Sequence, residues 1–127
     1  MILLKIYWRT KAAIKKLCFK IMFGKRFSVG KNTTFRKNFG LYLEKGASIK
    51  IGHDCFFNRG CSVNCLESVE IGNHTIFGEN VKIYDQNHKF RDRTKLIREQ
   101  GYSTGRVKIG NNCWICTNAV ILKGVEI

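Results

Sequence analysis

The chain of 127 residues is 44% hydrophobic and carries a formal net charge of +14. This length allows at most one domain, and the apolar fraction is sufficient for a core, so a globally disordered chain is excluded. No acidic residue precedes Glu44, whereas lysines and arginines recur from Lys5 onwards. The first third of the chain is therefore a block of positive charge, which favours an anionic partner such as a membrane surface, a nucleic acid or a phosphorylated ligand.

Residues 1–26 are predicted to form a basic N-terminal segment, with an amphipathic helix over residues 2–23. The apolar stripe of this helix consists of Leu3, Ile6, Tyr7, Thr10, Ile14, Leu17 and Ile21. The cations on the opposite side of the helical wheel are Lys5, Arg9, Lys16 and Lys20. Two interpretations stay open. Either the helix makes a peripheral membrane contact, with Trp8 and Phe19 at the interface, or its apolar stripe caps the domain that follows.

The same segment and the cysteines indicate the compartment. Lysines and arginines interrupt residues 1–26 too often for the apolar part of a secretory signal, and no run of about eighteen apolar residues is present to span a bilayer. The six cysteines show no spacing typical of a disulfide framework. Cys113 and Cys116 form a lone C-x-x-C pair without a second pair or a suitable pair of histidines, so we predict no metal site. We expect a cytoplasmic protein with reduced thiols, peripheral to the inner face of the membrane if the helix binds lipid.

A six-residue period in hydrophobicity begins at Val29 and continues to Ile127. Each hexad opens with an aliphatic or aromatic residue, such as Ile51, and its fifth residue is mostly small, such as Cys55. A helix cannot use a strict period of six, whereas short strands joined by tight bends can, with the first and fifth side chains both pointing inward. This is the hexapeptide signature of a parallel β-helix with three hexads per coil, predicted here over residues 27–127.

Several residues that suggest chemistry have a structural explanation in this pattern. Cys55, Cys61 and Cys113 occupy the small inward position and are predicted core groups. His53 and His74 fall at hexad corners, where solvated turn residues are expected.

The repeat stops after His88, at the end of a segment that also contains Asp85 and Asn87, and it resumes at Val107. The excursion loop over residues 89–106 is rich in arginine and lysine, and a loop of this length in a compact domain is usually functional. Its charge suits an anionic ligand. A loop that is merely solvated remains the alternative.

The repeat, the segment from Asp85 to His88, the long loop and the segment from Val107 to Ile127 together resemble the hexapeptide-repeat O-acyltransferases. The similarity is strongest to the maltose and galactoside acetyltransferases and to the acetyltransferases of O-antigen and capsule sugars. The resemblance covers roughly residues 29–127. It implies a left-handed parallel β-helix preceded by the N-terminal amphipathic helix, a homotrimer, acetyl-CoA as co-substrate, and acetyl transfer to a hydroxyl of a sugar, such as a surface-polysaccharide precursor, in clefts between subunits.

The resemblance also implies roles for individual residues. His88 matches the catalytic histidine, and an imidazole can remove the proton of a sugar hydroxyl as it attacks the thioester. Asn58 matches an asparagine that contacts the acceptor, and Asp85 and Asn87 are expected to orient His88 or the acceptor. The residues expected to line the acetyl-CoA side are Trp114 and Thr117.

Other features of the sequence leave alternatives open. Lys89 follows His88 where the family usually has proline, and Cys65 and Leu66 replace an acidic pair, so the acceptor is not predicted. The chain stops at Ile127 on the first residue of a hexad, so we expect a fragment of a longer protein. A non-catalytic β-helix subunit is the second interpretation. Nucleic-acid binding through the basic N-terminus is a weaker third, since no recognised binding motif accompanies the charge.

Overall fold

The structure, a computed structural model, describes residues 1–127 as one helix followed by fourteen short strands. Helix α1 (Ile2–Phe23) ends at Gly24, whose φ of 59° lies in the left-handed region that a residue without a Cβ adopts readily. A 3-10 turn, Gly24–Arg26, leads into the strands. The strands are β1 (Phe27–Val29), β2 (Thr34–Phe35), β3 (Gly40–Leu43), β4 (Ser48–Ile51), β5 (Phe56–Phe57), β6 (Ser62–Cys65), β7 (Ser68–Ile71), β8 (Ile76–Phe77), β9 (Lys82–Tyr84), β10 (Gln86–His88), β11 (Tyr102–Thr104), β12 (Val107–Ile109), β13 (Trp114–Ile115) and β14 (Val120–Ile121).

Twelve of these strands form three four-stranded parallel sheets, in the orders β1-β4-β7-β12, β2-β5-β8-β13 and β3-β6-β9-β14. Successive strands therefore belong to successive sheets, and every third strand returns to the same sheet one coil further along. The register places hexad-leading residues directly above one another, as with Phe57 and Phe77 or Val63 and Ile83. The predicted parallel β-helix is the observed architecture.

The interior of the coil is filled by one cluster of 21 buried hydrophobic residues. Its aromatic members stack between coils, since the rings of Phe57 and Phe77 are 4.3 Å apart and inclined by only 5°. Cys55 and Cys61 are buried, as predicted, and their Sγ atoms donate to the carbonyls of Gly72 and Gly78 at 3.0 Å and 3.1 Å. Small thiols thus fill the space at the corners and also satisfy corner carbonyls. Cys113 is only partly buried.

The corners require residues that accept positive φ. At the corner between the first and second sheets, Asn32, Asp54, His74 and Asn112 repeat in consecutive coils with φ of 60°, 55°, 58° and 53°. Asparagine and aspartate tolerate this region better than most residues. His74 is exposed at its corner, as the hexad position predicts.

Helix α1 closes the N-terminal end of the coil with a different face from the one predicted. Ala12 is buried, and the ring of Phe19 packs against Phe27 at 5.4 Å and Phe39 at 6.2 Å. The apolar stripe faces away from the coil, with Leu17 exposed at 60% and its neighbours similarly open. The interpretation that the stripe caps the coil is therefore wrong. Phe19 on the other face caps it instead, because its aromatic ring matches the aromatic end of the core. No helix of the chain is long and apolar enough to cross a bilayer.

The excursion leaves the coil after β9 and returns at β12, between the third and the first sheets. Its base is an antiparallel pair, β10 and β11, in which His88 lies opposite Tyr102. The N–H of Lys89 donates to the carbonyl of Gly101 at 2.9 Å, and the N–H of Gly105 donates to the carbonyl of Asp85 at 2.8 Å. These bonds hold both ends of the excursion close together on the coil.

Candidate active site

A concave pocket of about 620 Å³ lies where the excursion folds over the coil. It contains two of the residues singled out in the sequence, Asn87 and His88, together with Lys123 from the fourth coil. The other lining residues are Lys89, Phe90, Arg91, Asp92, Lys95, Glu99, Gln100 and Ser103. The lining is almost entirely polar, so the pocket suits a polar or charged ligand better than an apolar one.

His88 is the last residue of β10 and is solvent-exposed. Its ring rests on the ring of Tyr102 in the paired strand, with centroids 4.6 Å apart and planes inclined by 37°. Backbone pairing on one side and the aromatic contact on the other fix where the imidazole emerges. Such an imidazole is available to accept a proton from a group bound in the pocket.

Asp85 lies elsewhere, with a relative exposure of 0%. Its Oδ1 accepts a hydrogen bond from the N–H of Leu66 at 2.8 Å, and its Oδ2 accepts from the N–H groups of Glu67 and Ser68 at 2.7 Å and 2.9 Å. The Sγ of Cys65 donates to Oδ2 at 3.3 Å. An acceptor molecule cannot reach this carboxylate here, so the expected direct contact of Asp85 with the acceptor or His88 is not made.

The reason for this burial lies in the excursion. Along the coil, N–H groups donate to carbonyls of the next coil, as from Gly52 to Ile71 at 2.8 Å. The chain leaves the coil at Asp85, so the N–H groups of residues 66–68 have no strand above them to receive their hydrogen bonds. The Asp85 carboxylate replaces those carbonyls, since buried N–H groups without an acceptor are costly. Asp85 thereby anchors the base from which His88 projects.

The remaining predicted site residues lie away from the His88 pocket. The Oδ1 of Asn58 accepts from the N–H of Arg59 at 2.8 Å at the corner after β5. Trp114 is 73% exposed on the outer side of β13. The Oγ1 of Thr117 accepts from the N–H of Glu79 at 3.2 Å. All three lie along the second sheet and its corner with the third, whereas His88 emerges at the corner between the third and first sheets, so one copy of the chain does not bring them together.

The excursion is held together by its own polar side chains. The amide of Gln100 donates from Nε2 to the carbonyls of Asp92 and Lys95 at 2.9 Å and 3.1 Å, and its Oε1 accepts from the N–H of Asp92 at 3.1 Å. Hydrogen bonds from Thr94 lower the pKa of the Asp92 carboxyl, and Lys95 pairs with this carboxylate at 3.7 Å. This network gives the wall of the pocket a defined shape.

The cations of the pocket are mostly unpaired. Lys89, Arg91 and Lys123 make no salt bridge within the chain, whereas Lys95 pairs with Asp92. Unpaired cations around one pocket attract a carboxylate, phosphate or other anion. Lys123 was not predicted from the sequence, because it lies more than thirty residues from His88 and only the stacking of the fourth coil brings it near.

Ser103 and Gln86 were not predicted either. Ser103 pairs with Asn87 across the base of the excursion, so their side chains lie on the same face. The Oε1 of Gln86 is buried without a hydrogen-bond partner. Period-six patterning carries no signal for either residue, since Ser103 lies outside the hexads and Gln86 occupies neither inward position of the last hexad before the excursion.

The structure also brings together three groups able to ligate a metal ion, although none was predicted. The ligand atoms of His53, Asp54 and His74 all lie within 4.8 Å of one another at an exposed corner. His53 Nδ1 is 2.7 Å from Asp54 Oδ2, and this contact together with one from Asn32 lowers the pKa of the Asp54 carboxyl. This corner belongs to the first and second sheets and lies apart from the His88 pocket of the same chain.

Individual known proteins are similar to the chain, whereas no protein-family model matches it. The chain is similar to nodulation protein L of Rhizobium leguminosarum bv. viciae, with 34% identity over 99 residues that cover 77% of this chain and 50% of that protein. It is also similar to a probable acetyltransferase of Mycobacterium tuberculosis, with 27% identity over 104 residues, or 82% of this chain and 32% of that protein. The chain therefore spans about half the length, or less, of these curated relatives.

Among solved structures, the fold is similar to that of a hexapeptide-repeat-containing acetyltransferase of Vibrio cholerae, determined in complex with acetyl-coenzyme A. The TM-score is 0.67 at 21% sequence identity, over 94% of this chain and 69% of that chain. This likeness confirms the predicted left-handed parallel β-helix with its N-terminal helix. The hexad period, the coil that it forms and these similarities agree, so over the part of them that it spans the chain is similar to the hexapeptide-repeat acetyltransferases.

Proposed function

We propose that the protein is an O-acetyltransferase that moves an acetyl group from acetyl-CoA to a hydroxyl of a sugar, with His88 as the general base. The observation that carries this proposal is the placement of His88, which is fixed against Tyr102 and opens on a polar pocket of about 620 Å³. A polyhydroxylated acceptor suits such a lining, because side-chain amides and hydroxyls such as those of Asn87 and Ser103 can exchange hydrogen bonds with it.

In the proposed reaction, His88 removes the proton of the acceptor hydroxyl while its oxygen attacks the thioester carbonyl carbon. A new C–O bond forms and the C–S bond breaks. The leaving thiolate of CoA then accepts the proton from the imidazolium of His88. The developing oxyanion needs hydrogen-bond donors, for which the Asn87 amide is a candidate in the pocket. The unpaired cations Lys89, Arg91 and Lys123 suit the phosphates of CoA or an anionic acceptor.

The second part of the proposal concerns residues that lie apart from His88 in one chain. We propose a homotrimer in which the face carrying Asn58, Trp114 and Thr117 of one subunit lies against the His88 pocket of the next. A cyclic arrangement uses two different surface patches of the same chain, which fits two half-sites at two different corners of the coil. The exposure of Trp114, at 73%, supports contact with a ligand or a neighbouring subunit.

The proposed acceptor class is the sugar of a surface-polysaccharide precursor, and the proposed compartment is the cytoplasm. All six cysteines are free. Free thiols are typical of a reducing compartment, which supports the cytoplasmic placement. The sequence departures at Lys89 and Cys65 leave the individual sugar open to experiment.

The test is an acetyl-transfer assay of the purified protein with acetyl-CoA and a panel of neutral, acidic and amino sugars. We expect transfer to a hydroxyl, and we expect His88→Ala to lower kcat/KM at least about 100-fold because general base catalysis contributes that much. His53→Ala is the matched control, since His53 is exposed at a distant corner, and it should retain activity.

Three outcomes would contradict the proposal. Wild-type turnover by His88→Ala would exclude the mechanism. Transfer to the nitrogen of amino sugars alone would replace the O-acetyltransferase with an N-acetyltransferase. Failure of a folded protein to bind acetyl-CoA in calorimetry would favour the non-catalytic β-helix subunit.

A further inference from the structure

Helix α1 has two apolar faces, and only one of them is covered. The covered face packs Ala12, Phe19 and Phe23 onto the first coil. The uncovered face lies on the opposite side of the helix and is the apolar stripe recognised in the sequence. The exposed fractions along it are 81% for Leu3, 57% for Ile6, 47% for Tyr7, 59% for Ile14, 60% for Leu17 and 75% for Ile21.

This stripe is too long to be an incidental apolar patch. The helix has 22 residues, so at about 1.5 Å per residue the stripe extends for roughly 30 Å. Further large side chains at its N-terminal end, Met1 and Ile2, are exposed at 95% and 73%. Continuous exposed apolar surface of this size marks an interaction site in a folded protein.

The charges around the stripe identify the kind of partner. Arg9 and Lys20 are exposed and flank one side of it, and Lys11 flanks the other. All charged residues of the helix are lysine or arginine. An apolar stripe bordered by cations matches the boundary between acyl chains and anionic headgroups.

The same charges argue against a second copy of the chain as the occupant. Leu3, Tyr7, Thr10, Ile14, Leu17 and Ile21 also follow the four-three spacing of a coiled-coil seam. Pairing two such helices would bring lysines and arginines of one copy beside those of the other, with no acidic residue in the helix to offset the repulsion. An anionic surface removes this conflict.

We propose that α1 lies in the plane of an anionic phospholipid bilayer, with the stripe of Leu3, Ile14, Leu17 and Ile21 inserted among the acyl chains and the flanking cations at the headgroups. Trp8 and Phe19, expected at the interface from the sequence, do not contact lipid, since Phe19 packs on the coil and Trp8 lies against Arg36 at 4.7 Å. The helix then lies between the membrane and the first coil. The excursion, which leaves after the third coil, lies roughly 10 Å further from the membrane than the first coil does. This inference does not rest on the proposed function.

The test is flotation of the intact protein with two kinds of vesicle, each at low and moderate salt. One kind contains phosphatidylcholine alone, and the other contains phosphatidylcholine and phosphatidylglycerol in equal parts. We expect binding to the anionic vesicles that weakens as salt rises. Leu17→Asp with Ile21→Asp should weaken binding more than about tenfold, because two inserted side chains are replaced by anions. Arg9→Gln with Lys11→Gln and Lys20→Gln should weaken it about 100-fold, since each cation near such a surface contributes about fivefold.

Val120→Asp is the matched control, because Val120 is exposed at 57% on β14, far from the helix, and it should bind like the wild type. Circular dichroism checks that each variant is folded. Three results would overturn the proposal. The first is equal vesicle binding by the Leu17→Asp/Ile21→Asp variant and the wild type. The second is self-association of the wild type that this variant abolishes, with no binding to vesicles, and the third is binding to a DNA or RNA oligonucleotide without binding to vesicles. The first excludes insertion of the stripe, the second indicates a second copy of the chain, and the third indicates a nucleic acid.

Discussion

The Sγ of Cys65 lies 3.3 Å from Oδ2 of Asp85, and both side chains have a relative exposure of 0%. The two residues occupy equivalent positions in consecutive coils, because the residues just before them, Asn64 and Tyr84, are paired. In the second coil this inward position holds a small thiol. In the third coil it holds the carboxylate that binds the N–H groups left open by the excursion. The pair therefore marks where the regular coil ends and the candidate site begins.

Replacing Asp85 by alanine should lower the free energy of unfolding by at least about 3 kcal/mol. The substitution leaves the three N–H groups of residues 66–68, which lie in partly buried residues, without their acceptor, and each such group costs about 1 kcal/mol or more. Urea denaturation followed by circular dichroism measures the change. Glu70→Ala is the control, since Glu70 is exposed on β7 and should change stability by less than about 0.5 kcal/mol. A loss below about 1 kcal/mol for Asp85→Ala would show that the carboxylate does not anchor the excursion.

The Cys65 thiol should make stability depend on pH in the alkaline range. Burial, together with the nearby Asp85 carboxylate, raises the pKa of this thiol from 9.0 to about 12. The folded protein thus retains a proton that the unfolded chain loses, so the thiol's contribution to stability is complete below pH 9 and is lost as pH rises from about 9 towards 12. The difference in unfolding free energy between the wild type and Cys65→Ala should therefore shrink over this range. Lysines and tyrosines titrate equally in both proteins and cancel, and a difference that stays constant would contradict the prediction.

Much of the fold was accessible from the sequence because the coil imposes a period. Hexad-leading positions such as Phe57 and Ile83 stack in register, and a strict spacing of six residues is compatible with few other structures. The orientation of α1 was not accessible, because the helix has apolar residues on both sides and the period does not tell which side meets the coil. The shape of Phe19 against the aromatic end of the core determines the answer.

The candidate site was predictable only in part. His88 and Asn87 were identified at the point where the repeat stops, and they do line one pocket. Lys123 was not, since proximity between residues far apart in sequence depends on the stacking of coils. Asp85 was expected to orient His88 or the acceptor, but a motif does not show whether a carboxylate points outward to a ligand or inward to backbone donors.

Gln86→Met should leave stability unchanged or raise it by about 1 kcal/mol. The Oε1 of Gln86 is buried without a donor, so replacing the amide by an apolar group of similar length removes a desolvation cost. Gln100→Met is the opposite case, because the Gln100 amide makes three hydrogen bonds within the excursion. Because these hydrogen bonds are lost, Gln100→Met should accelerate tryptic cleavage in the excursion, whereas Gln86→Met should not. Marked destabilisation by Gln86→Met would indicate that this oxygen has a donor in solution.

Lys123→Ala tests the cationic wall of the pocket. Lys123 lines the pocket without a salt-bridge partner, so the substitution should raise KM for the anionic substrate about tenfold with a smaller change in kcat, because an interaction that stabilises the ground and transition states equally is removed. Steady-state kinetics, with the concentrations of acetyl-CoA and of the best acceptor varied in turn, would show which of the two substrates Lys123 binds. Lys50→Ala on β4 is the control, since Lys50 is exposed and lies outside the pocket. Unchanged KM values for both substrates would remove Lys123 from the site.

Mixing two inactive variants tests whether two copies of the chain form each site. His88→Ala removes the base, and Trp114→Ala with Thr117→Ala removes the other half-site, which lies at a different corner of the coil. If the halves come from adjacent subunits of a ring, random reassembly of equal amounts leaves both halves intact in about one quarter of the sites. The mixture, unfolded and refolded together, should therefore regain about one quarter of wild-type activity, measured as acetyl transfer per subunit. A mixture of His88→Ala with His88→Gln controls for reassembly and should stay inactive. If the first mixture shows no more activity than its two components alone, His88 and Trp114 do not act across an interface between subunits.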